Sequence, residues 1–150
     1  MLLSQKETDL LKDLKGQEKL CVEKYKKAAE QAKAEQLQRR FLKIAEIEQQ
    51  HYEAVCAIMN STAEPQSIPT PVNQGFSATY GIDENEQKKN DCYLCSDALA
   101  MEKHASHLYD TCVFEFKEQS LRNQLNSIQK QEQEHGKLIY DYMSTNSMYS

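Results

Sequence analysis

Four segments of the chain carry apolar residues at every third or fourth position, with polar residues between them. This spacing gathers the apolar residues on one face of an α-helix. The pattern predicts an all-α fold with helices over about 5–33, 36–60, 84–117 and 120–145. Ser4 and Glu7 have the spacing of a capping box at the start of the first helix. The stretch Asp83–Glu86 is available to cap the third helix, and Ser120 the fourth.

The apolar pattern stops in one long segment, residues 61–83, which is rich in Pro, Ser, Thr, Gly and Asn. This composition is typical of a loop. An extended loop of this length can run along a helix of roughly 25 residues, which spans about 38 Å. We therefore predict one domain, residues 1–150, folded as a four-helix bundle with a long crossover between parallel second and third helices.

Charged residues interrupt the apolar face of every predicted helix. Two Glu-x-x-His motifs occur, and each follows another glutamate by 30 residues. The six residues are Glu18, Glu48, His51, Glu102, Glu132 and His135. Residues three apart on a helix lie on one face, and a buried unpaired ion costs several kcal/mol. Since no Lys or Arg falls on these inward positions, a pair of divalent metal ions is the simplest compensation.

The two motifs belong to an internal repeat with an offset of 84 residues. The repeat extends beyond the charged residues, for it also matches Leu10 with Leu94, Tyr25 with Tyr109, Leu37 with Leu121, Ile44 with Ile128 and Met59 with Met143. A single Glu-x-x-His is more often a surface pair. Two copies on an inward face favour a metal site on a pseudo-two-fold axis.

The chemistry of the ligands suggests their roles. Glu48 and Glu132 are the predicted bridges between the metals, while Glu18 and Glu102 are terminal ligands beside the two histidines. Iron fits this set best, manganese also fits, and zinc can substitute without redox use. Six ligands on two metals leave positions open for water, peroxide or O2.

Tyr25 and Tyr109 each follow a ligand glutamate by seven residues. They are candidate catalytic residues that act through hydrogen bonds to the ligand carboxylates across the bundle. The alternative is a pair of core tyrosines whose hydroxyl groups bond elsewhere.

The cysteines allow two interpretations. Cys92-x-x-Cys95 lies near the start of the third helix, where a helix N-terminus can lower a thiol pKa and create a redox dithiol; a structural role for Cys95 is the alternative. Cys21, one turn from Glu18, either lines the metal site or fills the core. All five cysteines cannot pair within one chain.

Three further residues near the predicted site have simple interpretations. His104 and His107 lie off the inward face and are predicted to be surface histidines. Gly136, directly after His135, either permits close helix contact or metal access, or is a tolerated surface glycine.

Charge and hydropathy exclude other partners. The net charge is -5 with a pI near 5.4, and no basic patch indicates nucleic acid. We find no apolar run of transmembrane length and no signal peptide. The sequence therefore predicts a cytoplasmic protein that binds neither nucleic acid nor a membrane.

The ligand pattern resembles the ferritin-like superfamily, and within it the rubrerythrin and bacterioferritin branch. That branch uses two Glu-x-x-His motifs and two single glutamates, which the six residues match. The resemblance implies a carboxylate-bridged dimetal centre. Rubrerythrins usually carry a further metal-site glutamate one turn after the third-helix ligand, where this chain has Ala105.

A second resemblance covers roughly the last 60 residues, a typical size for a helix pair. This stretch is similar to the spore coat protein F family at Glu102-Lys103 to Tyr109, Leu121-Arg122, Ile128, Glu132, His135, Tyr140-Asp141-Tyr142-Met143 and Met148-Tyr149. The resemblance implies a sporulating Gram-positive bacterium and a place in the spore coat.

Three functions remain open from the sequence. The first is a dimetal oxidoreductase of peroxidase, oxidase or catalase-like type acting on peroxide or O2. The second is a structural spore coat protein in which the metals only stabilise the bundle, and the third is iron storage with ferroxidase activity. The predicted partners are metal ions, O2 or peroxide, a second copy of the chain, and spore coat proteins.

Overall fold

The computed structural model describes residues 2–60, 76–77, 79–81 and 85–149. Four helices account for most of these residues, and no strand occurs among them. The helices are α1 (Gln5–Gln31), α2 (Glu35–Met59), α3 (Glu86–Glu115) and α4 (Gln119–Thr145). The predicted all-α bundle is confirmed, and each helix begins and ends within two residues of its predicted position. Within the described ranges, no helix is both long and apolar enough to cross a membrane.

The four helices form two antiparallel hairpins, α1–α2 and α3–α4. Contacts between the hairpins join the start of α1 to the end of α3, where Lys6 Nζ lies 2.7 Å from Glu115. Farther along α1, Lys24 Nζ lies 2.8 Å from Asp97, near the start of α3. Helices α1 and α3 are therefore antiparallel, and α2 runs parallel to α3.

The connection from α2 to α3 joins opposite ends of the bundle. Helix α2 ends at Met59, beside the start of α1, whereas Phe76 packs edge-on against Tyr142 at the other end, with ring centroids 5.2 Å apart. Most of the predicted crossover, residues 61–83, lies outside the described residues. The residues on its two sides lie at opposite ends of the bundle, as a single crossover requires.

Capping explains two of the helix starts. The Ser4 hydroxyl accepts the Glu7 backbone N–H and the Glu7 carboxylate accepts the Ser4 N–H, so the predicted capping box is present. Asn85, within the predicted stretch, caps α3 through the Lys88 N–H. The prediction for α4 was wrong, because the helix starts at Gln119, before Ser120, and its N-cap Glu118 makes no side-chain cap bond.

Both hairpin turns lack Gly and Pro, and each is held by a buried carboxylate from the other hairpin. The Asp91 carboxylate accepts the backbone N–H groups of Lys33 at 2.8 Å and Ala34 at 2.9 Å. The Glu7 carboxylate accepts the Lys117 N–H at 3.0 Å. Positions 7 and 91, like 33 and 117, are related by the 84-residue offset. The repeat therefore includes the turns, where buried donors must find an acceptor.

The carbonyl groups before each turn are satisfied in the same repeated way. Gln38 Nε2 donates to the Ala32 carbonyl at 2.7 Å, and Arg122 Nη1 donates to the Phe116 carbonyl at 2.8 Å. Side chains in the first turn of α2 and α4 thus replace the glycine that commonly ends a helix.

The bundle core consists of two apolar clusters separated by a polar layer. One cluster contains Tyr25, Phe41 and Tyr142 near the α1–α2 turn. The other contains Leu14 and Leu125 near the α3–α4 turn. At the start of α1, Leu11 is fully buried whereas Leu10 is only half-buried.

Loss of a turn-holding carboxylate is expected to destabilise the fold. Asp91→Ala leaves buried backbone N–H groups without an acceptor, which costs about 1–3 kcal/mol. Glu7→Ala is expected to act in the same direction. Glu23→Ala, at an exposed position of α1, is the control and should change stability little. Urea denaturation measures the difference, and equal stability of Asp91→Ala and the control would contradict this role.

Candidate metal centre

The polar layer contains all six residues predicted from the sequence. Helix α1 contributes Glu18 and α3 contributes Glu102, while α2 and α4 each contribute a glutamate and a histidine from one face. Every one of these side chains is at most 2% exposed. The two Glu-x-x-His motifs therefore face each other at one depth of the bundle.

His51 lies among three carboxylates. Its Nδ1 is 2.8 Å from Glu132 Oε1, 3.3 Å from Glu48 Oε2 and 3.8 Å from Glu18 Oε2. The same nitrogen therefore faces the single glutamate of α1 and the glutamates of both Glu-x-x-His motifs.

His135 has the pseudo-symmetric surroundings. Its Nδ1 is 2.8 Å from Glu48 Oε1, 3.3 Å from Glu102 Oε1 and 3.8 Å from Glu132 Oε2. The two imidazole rings stack with their centroids 5.9 Å apart.

These contacts define two groups of four ligands, which overlap. One group joins Glu18 and His51 to Glu48 and Glu132, and the other joins Glu102 and His135 to the same two glutamates. Within each group the donor atoms lie within 4.8 Å of one another. This sharing is the geometry expected if Glu48 and Glu132 bridge two cations.

The donors fit a pair of divalent metals. When all four glutamates are ionised, the buried Oε2 atoms of Glu18, Glu102 and Glu132 have no hydrogen-bond donor among the described residues. An unpartnered carboxylate oxygen inside a protein is costly. Carboxylate oxygen with imidazole nitrogen suits iron, manganese or zinc.

Without metal, burial and mutual repulsion divide the carboxylates into two kinds. Burial and the nearby Glu48 and Glu132 raise the pKa of Glu18 well above its usual value. Burial and Glu132 raise the pKa of Glu102 to about 8. Burial and Glu102 oppose ionisation of Glu48, but hydrogen bonds from Glu18 and both histidines outweigh them and lower its pKa to about 2. The pKa of Glu132 is lowered in the same way.

The histidines take up the balancing positive charge. Burial disfavours the imidazolium of His51, but hydrogen bonds with Glu132 and Glu48 outweigh it and raise the pKa to about 10. The pKa of His135 is also raised, because its carboxylate neighbours, Glu102 above all, outweigh burial. Two neutral carboxyls, two carboxylates and two imidazoliums make the metal-free layer neutral. Four carboxylates, two neutral imidazoles and two divalent cations are neutral as well.

Both candidate tyrosines donate to glutamates of the polar layer from across the bundle. Tyr25 Oη lies 2.5 Å from Glu102 Oε1, and Tyr109 Oη lies 2.6 Å from Glu18 Oε1. Burial and the adjacent carboxylates raise the pKa of both hydroxyls well above the usual value, so they remain hydrogen-bond donors. A catalytic role for them stays a prediction.

Sequence reasoning missed Gln131. Its side-chain oxygen lies 2.5 Å from His51 Nε2, which fixes the imidazole with its Nδ1 towards the carboxylates. The repeat-matched residue is Ile47, which cannot make this bond. His135 Nε2 is buried without a hydrogen-bond partner among the described residues. The sequence offered one signal for this role, the polar Gln131 at a position where the other repeat has the apolar Ile47.

A surface cavity of about 500 Å³ between α3 and α4 reaches the polar layer. Glu102 and Glu132 lie at its inner wall, and His107 and Gly136 also line it. A Cβ added to Gly136 would meet Leu99 Cδ1 at 3.6 Å, an ordinary contact. Gly136 therefore borders an approach to the site. His107 and His104 are exposed, as predicted.

All five cysteines are free thiols, and three of them, Cys21, Cys95 and Cys112, are buried. Cys21 is fully buried next to the polar layer, and burial with the charges of Glu48 and Glu132 raises its pKa. Burial also raises the pKa of Cys95, while Cys92 is half-buried. A raised thiol pKa opposes thiolate chemistry, which favours the structural interpretation of the Cys-x-x-Cys motif.

Comparisons with known proteins agree with this architecture. Residues 90–150 match the family model for the Coat F domain, which supports the resemblance to spore coat proteins over the α3–α4 half. A solved structure of a hypothetical protein from Pyrococcus furiosus is similar, with a TM-score of 0.71 and 21% identity over 93% of this chain and 89% of that one. At this identity the likeness shows the fold alone, so the ferritin-like relationship stays a prediction. No curated protein matches the chain.

Metal binding should depend most on the shared glutamates. Wild-type protein is expected to bind about two divalent cations per chain. In Glu48→Ala or Glu132→Ala, neither cation should bind with high affinity, because each substitution removes a ligand from both groups. Glu53→Ala, at an exposed glutamate of α2, is the control. Equilibrium dialysis with elemental analysis measures this, and unchanged stoichiometry in Glu48→Ala would refute a shared site.

Metal uptake should release protons. At about pH 6, the binding of two cations would release about four protons, two from the neutral carboxyls and two from the imidazoliums. Affinity should therefore rise with pH, and proton release should diminish above about pH 8, where Glu102 ionises before binding. Titration calorimetry in buffers of different ionisation enthalpy counts these protons. Uptake without proton release at about pH 6 would contradict this charge balance.

Proposed function

We propose that this protein is a dimetal carboxylate protein that binds two iron or manganese ions and acts as a redox protein on peroxide or O2. The observation that carries the proposal is the pair of buried ligand groups that share Glu48 and Glu132. Three buried oxygens of the ionised carboxylates in the same layer, which have no donor within the described part of the chain, support it.

The cavity between α3 and α4 favours a reactive centre over a purely structural one. A metal pair that only staples helices needs no approach from solvent. Here Glu102 and Glu132 contribute to both a ligand group and the cavity wall. A small reactant can therefore reach the level of the ligands.

The residues of this chain have distinct tasks in such a centre. The six ligands would hold the metals, which supply redox chemistry when bound. Gln131 holds the His51 ring through Nε2, so that its Nδ1 faces the carboxylates and would be available to a metal. Tyr25 and Tyr109 orient the terminal carboxylates and keep their protons, since their pKa values are raised.

The proposed cellular setting is the spore coat. The Coat F match supports this, since it covers residues 90–150, which include Glu102, Glu132 and His135. Other spore coat proteins or a second copy of the chain are the proposed partners.

The same match favours a second candidate, a structural coat protein. In that case the metals join four helices across a layer that otherwise separates two apolar clusters. Metal binding then contributes folding free energy without turnover. Iron storage would additionally need a closed shell of many copies.

Turnover and stability distinguish the candidates. For the redox function, protein reduced and loaded with iron or manganese is expected to consume peroxide or O2 over many cycles, whereas Glu48→Ala is inactive. Stopped-flow absorbance and an oxygen electrode measure this. Metal loading without turnover, together with a fall in melting temperature of about 10 °C or more on chelation, would favour the structural role instead. A light-scattering mass of a monomer or dimer would exclude storage.

A further inference from the structure

The two halves of the bundle are matched by the repeat, yet their outer faces differ beside the metal ligands. On the α3–α4 face, Ser106 and Gln129 are half-buried and line the cavity together with Gly136. The repeat-matched residues on the α1–α2 face are Val22, Ala45 and Tyr52. Val22 and Ala45 are 6% and 3% exposed, so apolar packing replaces the polar wall.

Tyr52 occupies the position that Gly136 leaves open. Its side chain is half-buried, and its hydroxyl interacts with Cys56, one turn farther along α2. At position 136 a Cβ fits against Leu99, but a tyrosine ring would extend into the cavity. The α1–α2 face therefore has a half-buried aromatic side chain at the position where the α3–α4 face has a glycine beside the cavity.

The hydrogen bonding of the two ligand histidines also differs between the halves. Gln131 holds the His51 ring, whereas His135 Nε2 is buried and has no partner in the ranges that the structure describes. Ile47 occupies the position that matches Gln131. A histidine ligand without such a hydrogen bond is held less firmly. The less firmly held histidine belongs to the ligand group whose terminal glutamate, Glu102, lines the cavity.

We infer that the two metal positions are inequivalent in access. The position at Glu102 and His135 opens to the cavity, exchanges its cation with solvent, and takes small anionic or oxygen-donor ligands. Beside Glu18 and His51 the face carries the buried Val22 and Ala45 and the half-buried Tyr52, and this position retains its cation. This inference rests on the proposed dimetal site and assigns a different task to each half of it.

Release of a spectroscopic metal tests this inequivalence. Protein loaded with two equivalents of Co²⁺ is mixed with excess chromophoric chelator, and the absorbance is followed in a stopped-flow instrument. Two phases of equal amplitude are expected, with rates that differ roughly tenfold or more. Gly136→Tyr should slow the fast phase, whereas Gly136→Ala, which keeps the cavity, should match the wild type.

The opposite face provides a reciprocal variant, which also serves if Gly136→Tyr does not fold. Tyr52→Ala should accelerate the slow phase, with Tyr52→Phe as the control that keeps the ring. Azide should change the Co²⁺ spectrum of the wild type and lose this effect in Gly136→Tyr.

The outcomes distinguish the inequivalence of the two positions from the presence of a dimetal site. Release of both ions in one phase, or two phases that Gly136→Tyr and Tyr52→Ala leave unchanged, overturns the inequivalence while the dimetal proposal stands. Failure of the wild type to bind two equivalents of Co²⁺ overturns the dimetal proposal, and the inequivalence with it.

Discussion

The bundle depends on charge balance within one buried layer. Four carboxylates and two imidazoles lie between two apolar clusters, where isolated charges would be strongly unfavourable. The layer can be neutral in two ways, with four protons shared among its members or with two divalent cations. Because the six buried side chains lie together at one depth of the bundle, the layer is preorganised for the proposed cations. Preorganisation of this kind lowers the cost of ordering ligands when a metal binds.

The internal repeat explains how this layer is positioned. Each hairpin supplies one single glutamate, one Glu-x-x-His pair and one buried carboxylate that holds the other hairpin's turn. Glu7 and Asp91 therefore fix the longitudinal register of the two hairpins at both ends of the bundle. Since a shift of one helical turn moves a side chain by about 5.4 Å, this register decides whether the ligands meet.

Departures from the repeat are as informative as its matches. Gln131 against Ile47 and Gly136 against Tyr52 are differences within an otherwise matched pair of helices. Both lie next to the ligands, and the glycine borders the cavity that makes the α3–α4 half the more open one. That half also carries the Coat F match. A symmetrical scaffold thus has an asymmetrical environment around its polar layer.

The sequence by itself determined the four helices and the six polar residues on their inward faces, because helical periodicity and Glu-x-x-His spacing are local properties. It also indicated the tyrosine hydrogen bonds, since Tyr25 and Tyr109 repeat at one distance from a ligand. Only the tertiary structure showed that Glu7 and Asp91 hold the turns, that Gln131 orients His51, and that a cavity reaches Glu102 and Glu132. These features join residues far apart in the chain, and they depend on the register between hairpins, which no local pattern specifies.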